Sequence, residues 1–149
     1  MSAPDREKKI LIFSAAYQPL AGGAELAIKE ITDRLPENDY YLLCNKLEAH
    51  WPREEKIGNI NVRCLGKGKK WDKYLYPLRA AAYATVLHKN IKFDFVWSIT
   101  AHRAGLAALF FKYKTKIPYL LTLQSGGNEN SIMKHIWLLN PLRKQIYRQ

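Results

Sequence analysis

Three short segments of this chain contain residues whose types suit binding of a phosphorylated or hydroxylated ligand. The first is the pair Gly22-Gly23, followed at once by Ala24 and Glu25 at the start of an amphipathic stretch. Glycines let the backbone approach a ligand closely, and a helix N-terminus offers free N–H groups and the positive end of its dipole. We expect a phosphate-binding corner here. A plain tight turn before a helix explains the same residues, and Glu25 suits the dipole in either case.

Two other polar segments follow later apolar runs. His102 and Arg103 come after one of them and suit contact with an anionic or hydroxylated ligand, although a solvated loop histidine is an equal alternative. Gln124, Ser125 and Gly126 come after the next. The chain has no G-x-G-x-x-G, no P-loop motif and no G-x-S-x-G, so a dinucleotide fingerprint, a phosphate-binding P-loop and a hydrolase nucleophile are missing. The catalytic residues are unknown at this point.

Strands and helices alternate along the chain, which predicts an α/β, Rossmann-like, doubly wound and mostly parallel sheet flanked by helices. Strands are predicted at 10–14, 40–44, 60–65, 93–99 and 117–123, and helices at about 24–35, 74–89, 103–113 and 131–139. A polar loop is expected over 45–59. In a sheet of order 3-2-1-4-5, the three polar segments converge beyond the carboxyl ends of the first, fourth and fifth strands, where ligands bind in such folds.

Apolar spacing predicts which helix faces are buried. In the first helix, a period of 3.6 residues aligns one set of positions: Ala24, Ala27, Ile28, Ile31 and Leu35. In the second helix, Asp72 is a plausible N-cap. The face expected to be buried there comprises Leu75, Leu78, Ala82 and Val86.

Composition bounds the class of protein. The 149 residues suit one domain with a real core, and 48% of them are hydrophobic. Cys44 and Cys64 lie at strand ends without metal-like spacing, so buried reduced thiols are expected rather than a disulfide or zinc ligands. The histidines form no metal motif, and no metal site is expected. With no secretory leader and no long apolar run visible, a cytoplasmic location is expected.

A net charge of +11 and a pI near 9.7 favour association with a polyanion. Cations and aromatic rings alternate around the start of the second helix, and we take Lys69, Lys70, Trp71, Lys73 and Tyr74 as a basic-aromatic patch. Such a mixture suits an anionic membrane surface, so contact with the inner face of the membrane is expected. A solvated basic face is the alternative. Nucleic acid is the less favoured polyanion because no nucleic-acid motif is present.

Taken together, three segments resemble the N-terminal domain of GT-B-fold glycosyltransferases of family 4, the retaining, glycogen-synthase-like group. They are KILIFSAAYQPLAGGAELAIKEITDRL from Lys9 to Leu35, FDFVWSITAHRAGLAALFFKY from Phe93 to Tyr113, and IPYLLTLQSGG from Ile117 to Gly127. The G-G-A-E step at Gly22 to Glu25 is the most specific part of the resemblance. The likeness covers nearly the whole chain.

The resemblance implies a hexosyltransferase that moves a sugar from a nucleotide-sugar to a glycan or lipid-linked acceptor. The N-terminal domain would hold the acceptor, while Gly22 and Gly23 would lie against the donor diphosphate. Helix dipole and N–H groups would then stabilise the departing charge without a metal or other cofactor.

Two departures from the family pattern matter. Many relatives carry a histidine where this chain has Gln124, and glutamine cannot take a proton. The family's donor domain, with its E-x7-E motif, is not found in these residues, so we expect the chain to stop before it. A separate C-terminal domain would then be a partner, and the isolated chain would be inactive. The alternative function is a non-enzymatic, Rossmann-like module whose basic surface binds anionic lipid or nucleic acid.

Overall fold

The computed structural model describes residues 7–17, 22–100 and 102–122. Their elements, in chain order, are β1 (Lys9–Phe13), α1 (Gly23–Arg34), β2 (Asp39–Asn45), β3 (Glu54–Ile57), β4 (Ile60–Leu65), α2 (Asp72–Ile91), β5 (Phe95–Ser98), α3 (Arg103–Thr115) and β6 (Tyr119–Leu121). Every predicted strand, and each of the first three predicted helices, has a counterpart here. The helix expected at 131–139 lies outside the described residues.

The strands form one sheet of order β3-β4-β2-β1-β5-β6. All neighbouring strands run parallel except β3 and β4. This confirms the α/β, Rossmann-like fold class and the order predicted for the five parallel strands. The order reverses at β1, because the chain extends the sheet first through β2 and later through β5.

The edge strand β3 corrects the expectation of a polar loop over 45–59. Its sequence, EEKI, has three exposed residues and no apolar alternation, so periodicity could not reveal it. It pairs antiparallel with β4 through a tight turn at Gly58, which has a positive φ of 60°. Charged residues on an edge strand also discourage pairing with other chains.

Burial divides the sheet into two apolar layers. On one face Leu11 and Phe13 of β1 pack with α2 and α3, and on the other face Ile12 packs with Ile28 of α1. The middle of β1 is therefore buried on both sides, as expected for the central strand of a parallel sheet. These two layers fix the helices that start at the carboxyl edge.

Helix α2 is buried on the side opposite to the one predicted. Small residues (Ala80, Ala81 and Ala84) and Tyr76 face the sheet and α3, whereas the larger apolar residues face solvent. The exposed set, here named the α2 stripe, comprises Trp71, Leu75, Leu78, Ala82 and Val86. Short side chains let α2 approach α3 and the sheet closely, which explains the reversal.

In the described ranges, no helix has the length and apolar character needed to cross a bilayer.

Helix α1 also differs from its predicted face. Ile28 and Thr32 are buried, but Ile31 and Leu35 are largely exposed. Thr32 is tolerated inside because its hydroxyl donates to the carbonyl oxygens of Ile28 and Lys29. A satisfied threonine can therefore take a core position that hydrophobicity alone assigns to isoleucine.

Replacing Gly68 should reveal how tightly two loops pack. Its φ is +79°, and a Cβ there would overlap the backbone of Glu48 and Ala49. We expect Gly68→Ala to lower the free energy of unfolding by about 3 kcal/mol or more, since left-handed strain and a backbone clash add. Gly58→Ala is the matched control, because its φ is also positive but its Cβ would meet only Asp33 at 3.7 Å. It should cost about 1 kcal/mol in chemical denaturation, and equal losses would contradict the clash.

Candidate functional site

The strand ends that lead into the first two predicted loops share one edge of the sheet with the end of β6. Ser14 N donates to Leu43 O, Ile99 N donates to Phe13 O, and Thr122 N donates to Ser98 O. These hydrogen bonds continue the sheet just past the ends of β1, β5 and β6. The carboxyl ends of these strands therefore form a common rim, as predicted, and α1 and α3 begin near it. Gln124, Ser125 and Gly126 lie outside the described residues.

Two buried serines shape this rim, and sequence analysis missed both. Ser14 donates its hydroxyl to Ala16 O at 2.6 Å, and Ser98 donates its hydroxyl to Thr100 O at 3.1 Å. Each bond turns the chain immediately after a central strand, as serine hydroxyls commonly do. The signal available in the sequence was a small polar residue ending each of two adjacent buried strands.

The helix N-terminus at Gly22-Gly23 is open to solvent, but it is already capped. Gly22 is the N-cap of α1, and its N–H donates to Glu25 Oε2 at 2.9 Å. Gly23 is exposed, and a Cβ built on it would meet no atom within 4 Å. Packing within the described residues therefore does not require glycine at 23. An anion arriving here would compete with the carboxylate of Glu25.

His102 and Arg103 lie at the start of α3, the first as its N-cap and the second as its first residue. Burial, and then the neighbouring Arg103 charge, lower the pKa of the His102 imidazole below its usual value. His102 is therefore neutral at neutral pH, with one ring nitrogen able to donate a hydrogen bond and the other able to accept one. That state suits recognition of a hydroxyl group.

Tyr17, just past β1, is a further residue that sequence analysis missed. Its ring is fully buried with Ile28, and within the described residues its hydroxyl has no hydrogen-bond partner. Burial, followed by the charges of Asp33 and Glu25, raises the pKa of Tyr17 to about 12. Tyr17 is thus a neutral phenol that packs in one apolar cluster with Ile28 of α1. Only its position as the one aromatic residue in the loop after β1 hinted at this role.

The basic-aromatic patch is a real cluster at the start of α2. Trp71 and Tyr74 have ring centroids 5.8 Å apart, and the Lys73 ammonium lies 5.1 Å from the Tyr74 ring. Lys69 and Lys70 are exposed beside them. The patch therefore combines cations and aromatic rings on one surface, as its sequence predicted.

Tyr74 also joins the patch to the rim. The Arg103 guanidinium lies 5.7 Å from the Tyr74 ring centroid, within the range of a cation–π contact. Since Arg103 begins α3 and Tyr74 lies in the first turn of α2, the two helix starts are adjacent. The patch and the candidate binding edge therefore form one continuous surface.

Asp72 organises the loop that carries the lysines. It is the first residue of α2, whose N-cap is Trp71, so the predicted N-cap role is wrong. Its carboxylate instead accepts from the N–H groups of Lys67 at 2.7 Å and Lys69 at 2.9 Å, and it also pairs with Arg79. These groups, with the Lys69 N–H contributing most, hold the pKa of Asp72 well below its usual range.

Cys44 and Cys64 are buried free thiols, which confirms the expectation for them. Among residues 7–17, 22–100 and 102–122, no three His, Cys, Asp or Glu side chains gather to hold a metal ion. Compared with protein-family models and with curated proteins, the chain matches none.

Removing the Asp72 charge should loosen the lysine loop and lower stability. We expect Asp72→Asn to reduce the free energy of unfolding at pH 7 by about 2 kcal/mol, since charged hydrogen bonds to a buried acceptor are lost. Because the pKa of Asp72 is lower in the folded state than in the unfolded state, its carboxylate stabilises the fold at pH values above the unfolded-state pKa of about 3.9. This stabilisation is lost as the pH falls below that value. The difference between variant and wild type should therefore shrink below about pH 4.

Asp33→Asn provides the control for this prediction. Asp33 also has a cationic partner, Lys29, but both side chains are about half exposed. Exposed pairs of this kind contribute little. Urea denaturation across pH should leave this variant close to wild type, and an Asp72→Asn variant equally stable at pH 7 would show that the carboxylate does not hold the loop.

Proposed function

We propose that this chain is the acceptor-side half of a retaining, GT-B-type glycosyltransferase cleft. The donor would be a nucleotide-sugar and the acceptor a glycan or a lipid-linked sugar. The single observation that carries the proposal is the exposed, glycine-flanked start of α1 at the edge where β1 and β5 end. The resemblance of the segments around it supplies the reaction class.

The proposed donor contact uses the backbone of α1. Phosphate oxygens would accept hydrogen bonds from the N–H groups of Gly22 and Gly23, and the helix dipole would stabilise the negative charge on the leaving nucleotide. For Gly22, the phosphate would first displace Glu25 Oε2. This competition favours a ligand with several negative oxygens over a single carboxylate.

The other side of the crevice supports sugar or acceptor binding. Neutral His102 can donate to one hydroxyl and accept from another, and Arg103 adds positive charge at the start of α3. In the family that the chain resembles, a second domain supplies most donor contacts. We therefore expect the isolated chain to bind nucleotide weakly and to show no transferase turnover.

We also propose that the α2 stripe and the basic-aromatic patch contact an anionic membrane surface. Trp71 is 76% exposed, Leu78 60% and Val86 61%, which is unusual for large apolar side chains along one helix. Exposed lysines at positions 69 and 70 stand at the end of this stripe. Exposed leucine and valine side chains beside positive charge match the anionic lipid interface better than nucleic acid, which is bound through cations and stacked aromatic rings. A lipid-linked acceptor would then reach the crevice past Tyr74.

The binding corner can be tested with Gly23→Ala. In the helix the new methyl group meets free space, so stability should stay the same or rise by up to about 1 kcal/mol. The same methyl group would obstruct a phosphate, and we expect the affinity for UDP or GDP to fall on the order of tenfold. NMR titration of the labelled chain should show amide shifts at Gly22–Leu26 and at Arg103 in the wild type.

Asn90→Ala is the control for this titration, because residue 90 is exposed at the far end of α2. It should bind nucleotide like the wild type. Nucleotide shifts confined to the loop at 66–73, or unchanged affinity in Gly23→Ala, would contradict the phosphate corner and favour the non-enzymatic polyanion-binding module.

Membrane contact can be tested by flotation with vesicles of phosphatidylglycerol and phosphatidylcholine. Replacing Leu75 and Leu78 by Asp should weaken binding by about 3 kcal/mol or more, since two leucines no longer enter the interface. Replacing Lys69 and Lys70 by Glu should cost about 1 kcal/mol for each lost cation and remove the preference for anionic vesicles.

The matched control is Leu26→Asp. Leu26 is 58% exposed on α1, which packs on the opposite face of the sheet. Its replacement adds one negative charge, against two in the double variant, to a comparably exposed helix face without touching the α2 stripe, so flotation should persist. Wild-type protein that floats with neither vesicle, or equally with purely neutral ones, would refute the anionic-membrane proposal and leave the nucleotide proposal standing.

A further inference from the structure

Two thiols lie directly opposite each other in the sheet. Cys44 of β2 pairs in register with Cys64 of β4, and their Sγ atoms are 2.7 Å apart. Residues paired across neighbouring parallel strands project to the same face, and strands are spaced by about 4.8 Å. That spacing falls within the range of Cα separations that a disulfide spans. The sulfurs therefore lie within about 1 Å of bonding distance.

The two thiols differ in chemical character. The contact with Cys44 and the charge of Lys46 lower the pKa of the Cys64 thiol and outweigh the opposing effect of burial. The same contact, together with burial, raises the pKa of Cys44. Because the thiolate is the nucleophile and Cys44 is fully buried, we expect Cys64, which is 8% exposed, to react first and Cys44 to be the resolving thiol.

Access to Cys64 selects for a small reagent. It borders a cavity of about 10 Å³ that is also lined by Trp51, Pro52 and Arg53. This volume holds about one water molecule. Trp51 is itself buried, so bulky disulfides such as oxidised glutathione cannot reach the sulfur unless the covering loop moves.

We propose that Cys44 and Cys64 are a peroxide-oxidised, thiol-reducible disulfide site. The Cys64 thiolate attacks hydrogen peroxide, the O–O bond breaks, and a sulfenic acid forms while hydroxide leaves and takes the Cys44 proton. The Cys44 thiolate then attacks the Cys64 sulfur, the S–S bond forms, and the S–O bond breaks to release hydroxide, which is protonated by solvent. Two thiols lose two electrons in total, and peroxide becomes two waters. A small thiol reductant reverses the reaction by disulfide exchange when the loop that carries Trp51 moves aside.

The bond would stiffen the base of the lysine loop. Lys46 N already donates to Leu65 O, and Gly68 packs against the backbone of Glu48 and Ala49. Joining Cys44 to Cys64 would fasten the ends of both strands just below these contacts. Oxidation would thus restrain the loop that carries Lys69 and Lys70, independently of whether the chain binds nucleotides.

The site is tested by exposing the full chain to hydrogen peroxide, blocking free thiols with N-ethylmaleimide and mapping tryptic peptides. We expect a species that has lost two hydrogens, in which the peptide 35–46 is joined to the peptide 64–67 and separates on reduction. Hydrogen exchange of the oxidised chain should slow within 46–53 and 66–70. Oxidised glutathione at equal concentration should give much slower formation.

Two variants test the order of reaction. Cys44→Ser should trap a sulfenic acid on Cys64 that dimedone labels, whereas Cys64→Ser should leave Cys44 unlabelled, with circular dichroism confirming that both fold. Because the wild-type peptide map needs no variant, it decides the proposal even if a variant fails to fold. Sulfinic acid on Cys64 without the joined peptides, two unreacted thiols, or a disulfide only between chains would overturn it.

Discussion

The fold depends on the pairing of β1 with strands on both sides. The backbone of β1 pairs with β2 on one side and with β5 on the other, while apolar layers cover both of its faces. Both neighbours are parallel to β1, so all three strands end at one edge, and connections must cross over the faces of the sheet. The candidate site is a consequence of this constraint, because the segments after β1 and β5 both begin at that edge.

The same constraint explains why α2 is apolar on two sides. Covering β1 and β5 together requires α2 and α3 to lie close to each other and to the sheet, and alanines at 80, 81 and 84 make this possible. Each alanine buries only a small area, but together they form the buried contact of α2. The larger leucines of this helix are therefore not needed in the core. An exposed row of Leu75, Leu78 and Val86 is therefore not required by the core of the described residues. The proposed membrane contact would give these exposed side chains a role.

Sequence reasoning recovered the features that periodicity and topology encode. The five parallel strands, their order and the rim followed from apolar runs separated by helix-length segments. The predicted face of α2 was wrong, and that of α1 was right at Ile28 but wrong at Ile31 and Leu35. Hydrophobic spacing ranks Leu78 above Ala80 and Ile31 above Thr32, whereas packing distance and a hydroxyl bonded to the backbone decided otherwise. Strand β3 was missed because its pairing comes from a tight turn and not from its own apolar pattern. Asp72 had the right location but a different role, since its partners lie in the preceding loop and are set by tertiary geometry.

Because Glu25 occupies the N-terminus of α1, a ligand at the candidate site needs contacts beyond that helix end. Its carboxylate is tethered beside the Gly22 N–H, so it occupies the helix end whenever no stronger anion is present. The dipole favours any anion there by only about 0.3–1 kcal/mol, which is too little to discriminate a nucleotide from the resident carboxylate. A diphosphate prevails only if further cations or N–H groups bind its remaining oxygens. In the proposed transferase those groups come from the facing domain, so closure of the cleft and displacement of Glu25 would be the same event.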